Sequence, residues 1–272
     1  MWSKYADIDG TAINYFHGGL SSLPGVVPDL AQGELLLFVH GAGSNAHTWH
    51  RQLEHFEKRH SALAIDLPAH GRSGATEGLG SLASMVSFTE AFAAALRLRP
   101  FVFVGRAMGG AIGLELALAH PQRLRGLVLV ATPARFEIPP QSLDVWRDVM
   151  RGRATQPFST SIFSPKTDFA IMREAWMEQV KTDPRVRYTD LAACKGADFT
   201  GRLAEVRVPT LVVTGRDDHF APPEKAEAVQ RAIPGARLAV VGEAGHSLAT
   251  EKPEEFNRLV EEFVDGLGAA RR

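Results

Sequence analysis

The chain holds a single cysteine, Cys194, so no internal disulfide can form, and a reducing, cytoplasmic setting is the expectation. No apolar run approaches the roughly 20 residues that span a bilayer. The opening Met1-Trp2-Ser3-Lys4-Tyr5-Ala6-Asp7 lacks the apolar stretch of a secretion signal. A surplus of charge is missing too: 30 Lys+Arg stand against 31 Asp+Glu, a formal net charge of −1. That balance offers neither a nucleic acid nor an anionic membrane surface anything to grip, so neither is expected as a partner. The number of subunits is not legible, and internal repeats and low-complexity tracts are absent. What remains is an ordinary globular composition, 45% hydrophobic and 22% charged, in 272 residues. That length suits one large α/β domain carrying an insertion.

Short apolar runs alternate with helical-period stretches. Leu35–His40, Ala62–Asp66, Phe101–Val104, Leu127–Val130, Leu211–Thr214 and Leu238–Val241 read as strands. Their continuous apolarity, without an in/out alternation, is the mark of strands buried on both faces of a mostly parallel sheet. Helices are expected over Ala46–Glu57, Leu82–Leu96, Gly109–Ala119, Pro223–Ala232 and Pro253–Leu267. Pro223 and Pro253 suit first helical turns, where a missing N–H costs nothing. The alternation stops between Pro133 and Val208, a stretch with Trp146, Phe158, Phe163, Phe169 and Trp176 but no convincing strand. It reads as a helical cap, residues 133–208, inserted into a core domain of residues 1–132 and 209–272.

The strand Phe101–Val104 runs into Gly105-Arg106-Ala107-Met108-Gly109-Gly110 and then an apolar helix. A strand, a tight glycine turn and a helix in the frame G-x-S-x-G make a nucleophile elbow; here the frame is G-x-A-x-G, with Ala107 at the nucleophile position. His40-Gly41-Ala42-Gly43 ends an earlier strand and fits the loop that gives a backbone N–H to an oxyanion, so the amides of Ala42 and Met108 are the expected donors. Asp217 and Asp218 follow one late strand and His246 the next, the order elbow, acid, histidine. The frame Gly215-x-x-Asp218-x-x-x-Pro222 favours Asp218 as the acid, leaving Asp217 as a solvated turn residue. Such a carboxylate fixes the imidazole tautomer, and the imidazole takes the hydroxyl proton.

Together these residues resemble the α/β-hydrolase superfamily, in particular its capped esterase, lactonase and carbon–carbon hydrolase branch, from about Ala12 to Phe263. Asp66-Leu67-Pro68-Ala69-His70-Gly71-Arg72-Ser73 is similar to that family's D-x-P-x-H-G-x-S turn, which makes His70 and Ser73 structural. The resemblance implies an eight-stranded, mostly parallel sheet flanked by helices, no metal or other cofactor, and a small carbonyl substrate. Gly41, Arg106, Trp146, Trp176 and Phe220 are the expected substrate contacts. Two positions depart from the family: Arg106 stands where histidine is common, and Ala107 stands where the family has serine. A methyl cannot attack a carbonyl, and Ser44, Ser73, Ser247 and Cys194 are not placed to replace it. The favoured reading is an engineered serine-to-alanine change that silences a working hydrolase. The others are a natural His246–Asp218 dyad enzyme (a lyase or cofactor-free oxygenase) and a ligand-binding pseudoenzyme.

Overall fold

The computed structural model describes residues 1–20, 22–23 and 25–269. In chain order the elements are β1 (Trp2–Ile8), β2 (Thr11–His17), β3 (Leu35–Val39), α1 (His50–Phe56), β4 (Ser61–Ile65), α2 (Leu82–Ala95), β5 (Phe101–Arg106), α3 (Met108–Ala119) and β6 (Leu124–Val130). They continue with α4 (Pro140–Met150), α5 (Phe169–Gln179), α6 (Pro184–Cys194), β7 (Thr210–Gly215), α7 (Pro223–Ala232), β8 (Arg237–Val241), α8 (Leu248–Glu251) and α9 (Pro253–Ala269). The strands form one eight-stranded sheet in the order β1-β2-β4-β3-β5-β6-β7-β8. β1 and β2 pair antiparallel, β2 meets β4 antiparallel, and every later neighbour is parallel.

The packing explains the unbroken apolar runs. In β3, Leu35, Leu37 and Val39 face one side, where they join Met85 and Phe92 of α2, Ile112 and Leu116 of α3 and Val229 of α7. Leu36 and Phe38 face the other, against Leu53 and Phe56 of α1 and Phe256, Val260 and Phe263 of α9. Both faces of the strand are therefore core, and period-2 alternation has nothing to report.

The six expected strands and five expected helices all occur, with ends shifted by a few residues. The hairpin β1–β2 was not among them. Its first strand alternates exposed and buried residues, and Asp9-Gly10 turns it with φ of 50° and 78°. Asp-Gly with both residues at positive φ is the strongest short-range hairpin signal, and Asp7 adds a carboxylate that accepts the Gly10 N–H at 2.8 Å.

Between β6 and β7 the chain leaves the sheet to build α4, α5 and α6. An antiparallel bridge between Arg135 and Asp198 closes the base of this insertion. α4 packs on α6, which also touches α3, while α5 reaches α8. Phe163, Met172 and Ala175 give the insertion a small apolar cluster of its own. Among the described residues no helix is long and apolar enough to cross a membrane.

Candidate active site

Parallel pairing sets the C-terminal ends of β3, β5, β6, β7 and β8 along one edge of the sheet, and the loops leaving that edge carry every candidate catalytic residue. The turn from β5 into α3 is the tightest of them. A Cβ on Gly105 would sit 2.3 Å from the Gly109 carbonyl oxygen, and one on Gly109 would sit 2.4 Å from that of Val39. Only glycine permits either approach. The second contact also drives the first turn of α3 against the loop that follows β3.

Between these glycines Ala107 adopts φ 48°, ψ −107°, held by its N–H to Val130 O (2.9 Å) and its C=O to Ala111 N (3.0 Å). A residue with a Cβ pays about 1–3 kcal/mol for such a conformation. Here that Cβ is only a methyl group, on a residue that is half-buried. Among the described residues the amides of Ala42 and Met108 meet no acceptor. The Met108 N–H also heads a 12-residue helix, where the aligned peptide dipoles favour negative charge.

Asp218 is 2% exposed. Its Oδ1 accepts the N–H groups of Phe220 (2.8 Å) and Ala221 (3.0 Å), and its Oδ2 lies 2.9 Å from Nδ1 of His246. Burial raises the carboxyl pKa, but the imidazole hydrogen bond and charge and the two amides outweigh it, so the net shift is downward. An ionised Asp218 holds the Nδ1–H tautomer and leaves Nε2 of His246 as a base.

The His246 loop is clamped from the insertion side. Glu251, 6% exposed, accepts from the amides of Gly245 and Ser247 and from Ser164 N and Thr167 Oγ1 across the interface. Replacing Glu251 by alanine strands several buried donors at once. The expected loss is about 2–4 kcal/mol of unfolding free energy in urea titration. A change under ~0.5 kcal/mol would show that water fills the role.

Asp217 departs from its expected place as a solvated turn residue: it is half-buried and accepts the Ser164 hydroxyl at 2.6 Å, because the insertion covers it. Arg106 and Gly41 lie side by side, a Cβ on Gly41 falling 3.3 Å from Arg106 Nε. Arg106 also feels the charges of Asp218 and Glu251. Phe220 is 50% exposed and tilts against the His246 ring, with centroids 5.2 Å apart. Trp146 is instead 8% exposed behind Arg187, whose guanidinium lies 4.2 Å above its ring. Trp176 sits edge-on to Phe158 at 5.7 Å inside the insertion.

Two groups had no sequence signal. Arg187 crosses Gly43, and Asp190, on the same helix, accepts Gly43 N (2.9 Å) and meets Nε2 of His70 (2.8 Å). His70 Nδ1 lies 3.0 Å from the Pro68 carbonyl oxygen, so both ring nitrogens face acceptors and the ring is held protonated. Burial disfavours that charge, yet Asp190 overcomes it and the His70 pKa is raised above 6.5. A raised histidine pKa stabilises the fold fully below 6.5, and that share is lost as pH rises through the folded value. The stability gap between this chain and an Asp190→Asn variant is therefore expected to shrink from pH 6 to about 9 in urea titrations. A gap constant across that range would contradict the assignment. Cys194, buried beside this pair, has its thiol pushed up to about 12 by burial, which keeps it inert.

Among the described residues no group of three His, Cys, Asp or Glu side chains is arranged to hold a metal. A surface groove of about 530 Å³ lined by Val27, Leu30, Leu96 and Arg99 lies at the N-terminal ends of β3 and β5, the opposite edge of the sheet.

Known proteins carry the same framework. A pimeloyl-[acyl-carrier protein] methyl ester esterase of Serratia marcescens is 30% identical over 252 residues, covering 86% of this chain and 96% of that protein. A 2-hydroxy-6-oxononadienedioate/2-hydroxy-6-oxononatrienedioate hydrolase of Burkholderia vietnamiensis is 26% identical over 284 residues, covering 96% and 95%. The crystal structure of an enol-lactonase from Burkholderia xenovorans superposes with a TM-score of 0.82 at 23% identity, covering 96% of this chain and 99% of that one, a likeness of fold. The sequence pattern that defines the alpha/beta hydrolase family matches residues 36–259, from β3 through the elbow, insertion and His246 loop into α9, and this chain belongs to that family.

Proposed function

We propose that the elbow and the loops around it form the site of a serine-type hydrolase for a small carbonyl substrate, an ester, a lactone or an activated carbon–carbon bond. Ala107 stands in the nucleophile's place. The chain as it stands binds such a substrate and does not cleave it. One observation carries this reading: Ala107 keeps a strained φ of 48° at the same sheet edge as a His246–Asp218 pair, although its methyl group gains nothing from the strain. Strain of this kind persists where a side chain must be presented at one point.

With a hydroxyl at that Cβ, Nε2 of His246 would take its proton as the oxygen attacks the carbonyl carbon. The Ala42 and Met108 amides would receive the oxyanion, and the imidazolium would return the proton to the departing group. Water, activated by the same imidazole, would then release the acid. The residues needed come from the chain itself and call for no metal or cofactor. The α4–α6 insertion acts in this reading as a cap over the site, and the protein works in the cytoplasm. The esterase and hydrolase names of the relatives agree with the reaction class. Assaying Ala107→Ser on short esters and lactones tests it; a variant as inert as the alanine chain across the panel would contradict it.

The free Nε2 of His246 supports a second reading, proton abstraction by the dyad without a covalent step. In that case the alanine chain itself turns over a substrate, and His246→Ala abolishes the turnover.

A further inference from the structure

Two arginines converge on the loop that carries the Ala42 amide, one from the core and one from the insertion. Arg106 leaves the elbow and runs along Gly41, where a Cβ would fall 3.3 Å from its Nε and 3.5 Å from its Nη2. Arg187 leaves α6 and lays its stem across Gly43, where a Cβ would fall 2.4–2.7 Å from its Cγ, Cδ and Cβ. Two glycines in three residues thus make room for two cationic side chains.

Neither cation has an anion of its own. Among the described residues Arg106 and Arg187 take part in no ion pair, and Arg106 donates no side-chain hydrogen bond. Arg187 is aimed by its stacking on Trp146 and by Nη1 donating to Gln179 Oε1 at 2.8 Å, yet its Nε is sealed from solvent with no acceptor. The nearby acids form no ion pair with either guanidinium, and most of their oxygens serve other groups. Asp190 Oδ2 serves His70 and Gly43 N, Asp218 serves His246 and two amides, and Glu251 serves the His246 loop. Asp190 Oδ1 is buried without a hydrogen-bond partner, and its charge reaches Arg187 without forming an ion pair. Burial lowers both guanidinium pKa values to about 10; for Arg187 the charge of Arg106 adds to the effect, while Asp190 opposes it for Arg187 and Asp218 and Glu251 oppose it for Arg106. Two half-buried cations against one loop, one feeling the charge of the other, are costly until an anion reaches them.

We propose that Arg106 and Arg187 form a carboxylate-binding subsite beside the oxyanion loop, so that the substrate is an acid bearing its reactive ester or lactone carbonyl a few bonds from a free carboxylate. With Nε sealed and Nη1 spent on Gln179, Arg187 offers Nη2 and Arg106 its own guanidinium, so the two side chains between them can donate to the two oxygens of a planar carboxylate. An anion held by both side chains also fastens the insertion to the core. That the anion belongs to a substrate rests on the hydrolase reading; that an anion binds there does not.

Isothermal titration of the alanine chain with monomethyl glutarate, dimethyl glutarate and inorganic phosphate tests the subsite without any turnover. The half-ester is expected to bind about tenfold or more tightly than the diester, and more tightly than phosphate. Arg106→Met and Arg187→Met should each remove about tenfold of that preference. Should Arg187→Met fail to fold, Arg187→Lys keeps the charge but loses the planar guanidinium anchored on Gln179 and Trp146, and its preference is expected to fall about threefold or more. Equal binding of half-ester and diester, a preference untouched by the arginine variants, or tighter binding of phosphate would overturn the proposal. The two readings separate cleanly. An inert Ala107→Ser with arginine-dependent half-ester binding removes the hydrolase and keeps the subsite. An active Ala107→Ser with no preference for the half-ester does the reverse.

Discussion

Restoring one oxygen, by Ala107→Ser, should raise kcat on a short ester by on the order of 10⁴–10⁶ over the alanine chain, because loss of a triad serine costs about that much in enzymes of this chemistry. The size of the effect follows from how little else is missing. Ala107 already holds the strained φ of 48°, so the new hydroxyl needs no backbone rearrangement. The Met108 and Ala42 amides have no competing acceptor among the described residues. His246 already holds Asp218 at 2.9 Å. The affinity of the alanine chain and the KM of the variant should agree within a few-fold, since a hydroxyl changes the transition state far more than the bound ground state. Steady-state assays on a panel of esters, lactones and half-esters measure both. A gain below about tenfold on every member would mean that the base or the oxyanion donors do not face the new oxygen.

In the same background Asp218→Asn is expected to remove about 10⁴ of kcat with little change in KM. The asparagine Oδ1 can keep both amides, Phe220 N and Ala221 N, so the loop holds its shape. Its NH2 group, however, replaces Oδ2 opposite His246 Nδ1. A donor facing Nδ1 forces the proton onto Nε2, the nitrogen that must accept one. The substitution therefore inverts the tautomer and leaves the fold. It also alters the acid limb of stability with a definite sign. A carboxyl whose folded pKa lies below its ordinary 3.8 stabilises the fold in full above that value and loses the contribution as pH falls through the folded pKa. The variant should thus lose less stability than the parent between pH 5 and about 2. A kcat within tenfold of the parent would show that His246 is oriented by something other than Asp218.

The sites that were legible in the sequence are those where local geometry demands particular residues. Gly105 and Gly109 mark the elbow because no Cβ fits beside the neighbouring carbonyls, and the unbroken runs of β3 and β5 through β7 mark strands with core on both faces. Asp218 and His246 were readable from their offsets after β7 and β8, since parallel strands deliver their C-terminal loops to one edge. The features that escaped are long-range. Asp190 and Gly43 are 147 residues apart, and the Glu251 clamp joins the His246 loop to Ser164 and Thr167, 84 to 87 residues earlier. A helix face on α6 shows no local preference for a ligand to a loop in another layer. Arg187 was hidden for the same reason, and Trp146, expected at the substrate, turns out to be the surface on which that arginine rests. The hairpin β1–β2 escaped differently: Asp9-Gly10 announced it, but β1 is half-exposed and the apolarity of the buried run of β2 is broken by Asn14, so neither has the continuous apolarity of the others.

The most direct check on the site's identity is covalent capture. The Ala107→Ser chain is incubated with a fluorophosphonate and the adduct is mapped by peptide mass spectrometry. The expected result is one stoichiometric adduct on the introduced hydroxyl, absent in the alanine chain and lost again when His246 is also changed to alanine. No adduct at that position, or labelling at Ser44, Ser73 or Ser247 instead, would contradict it.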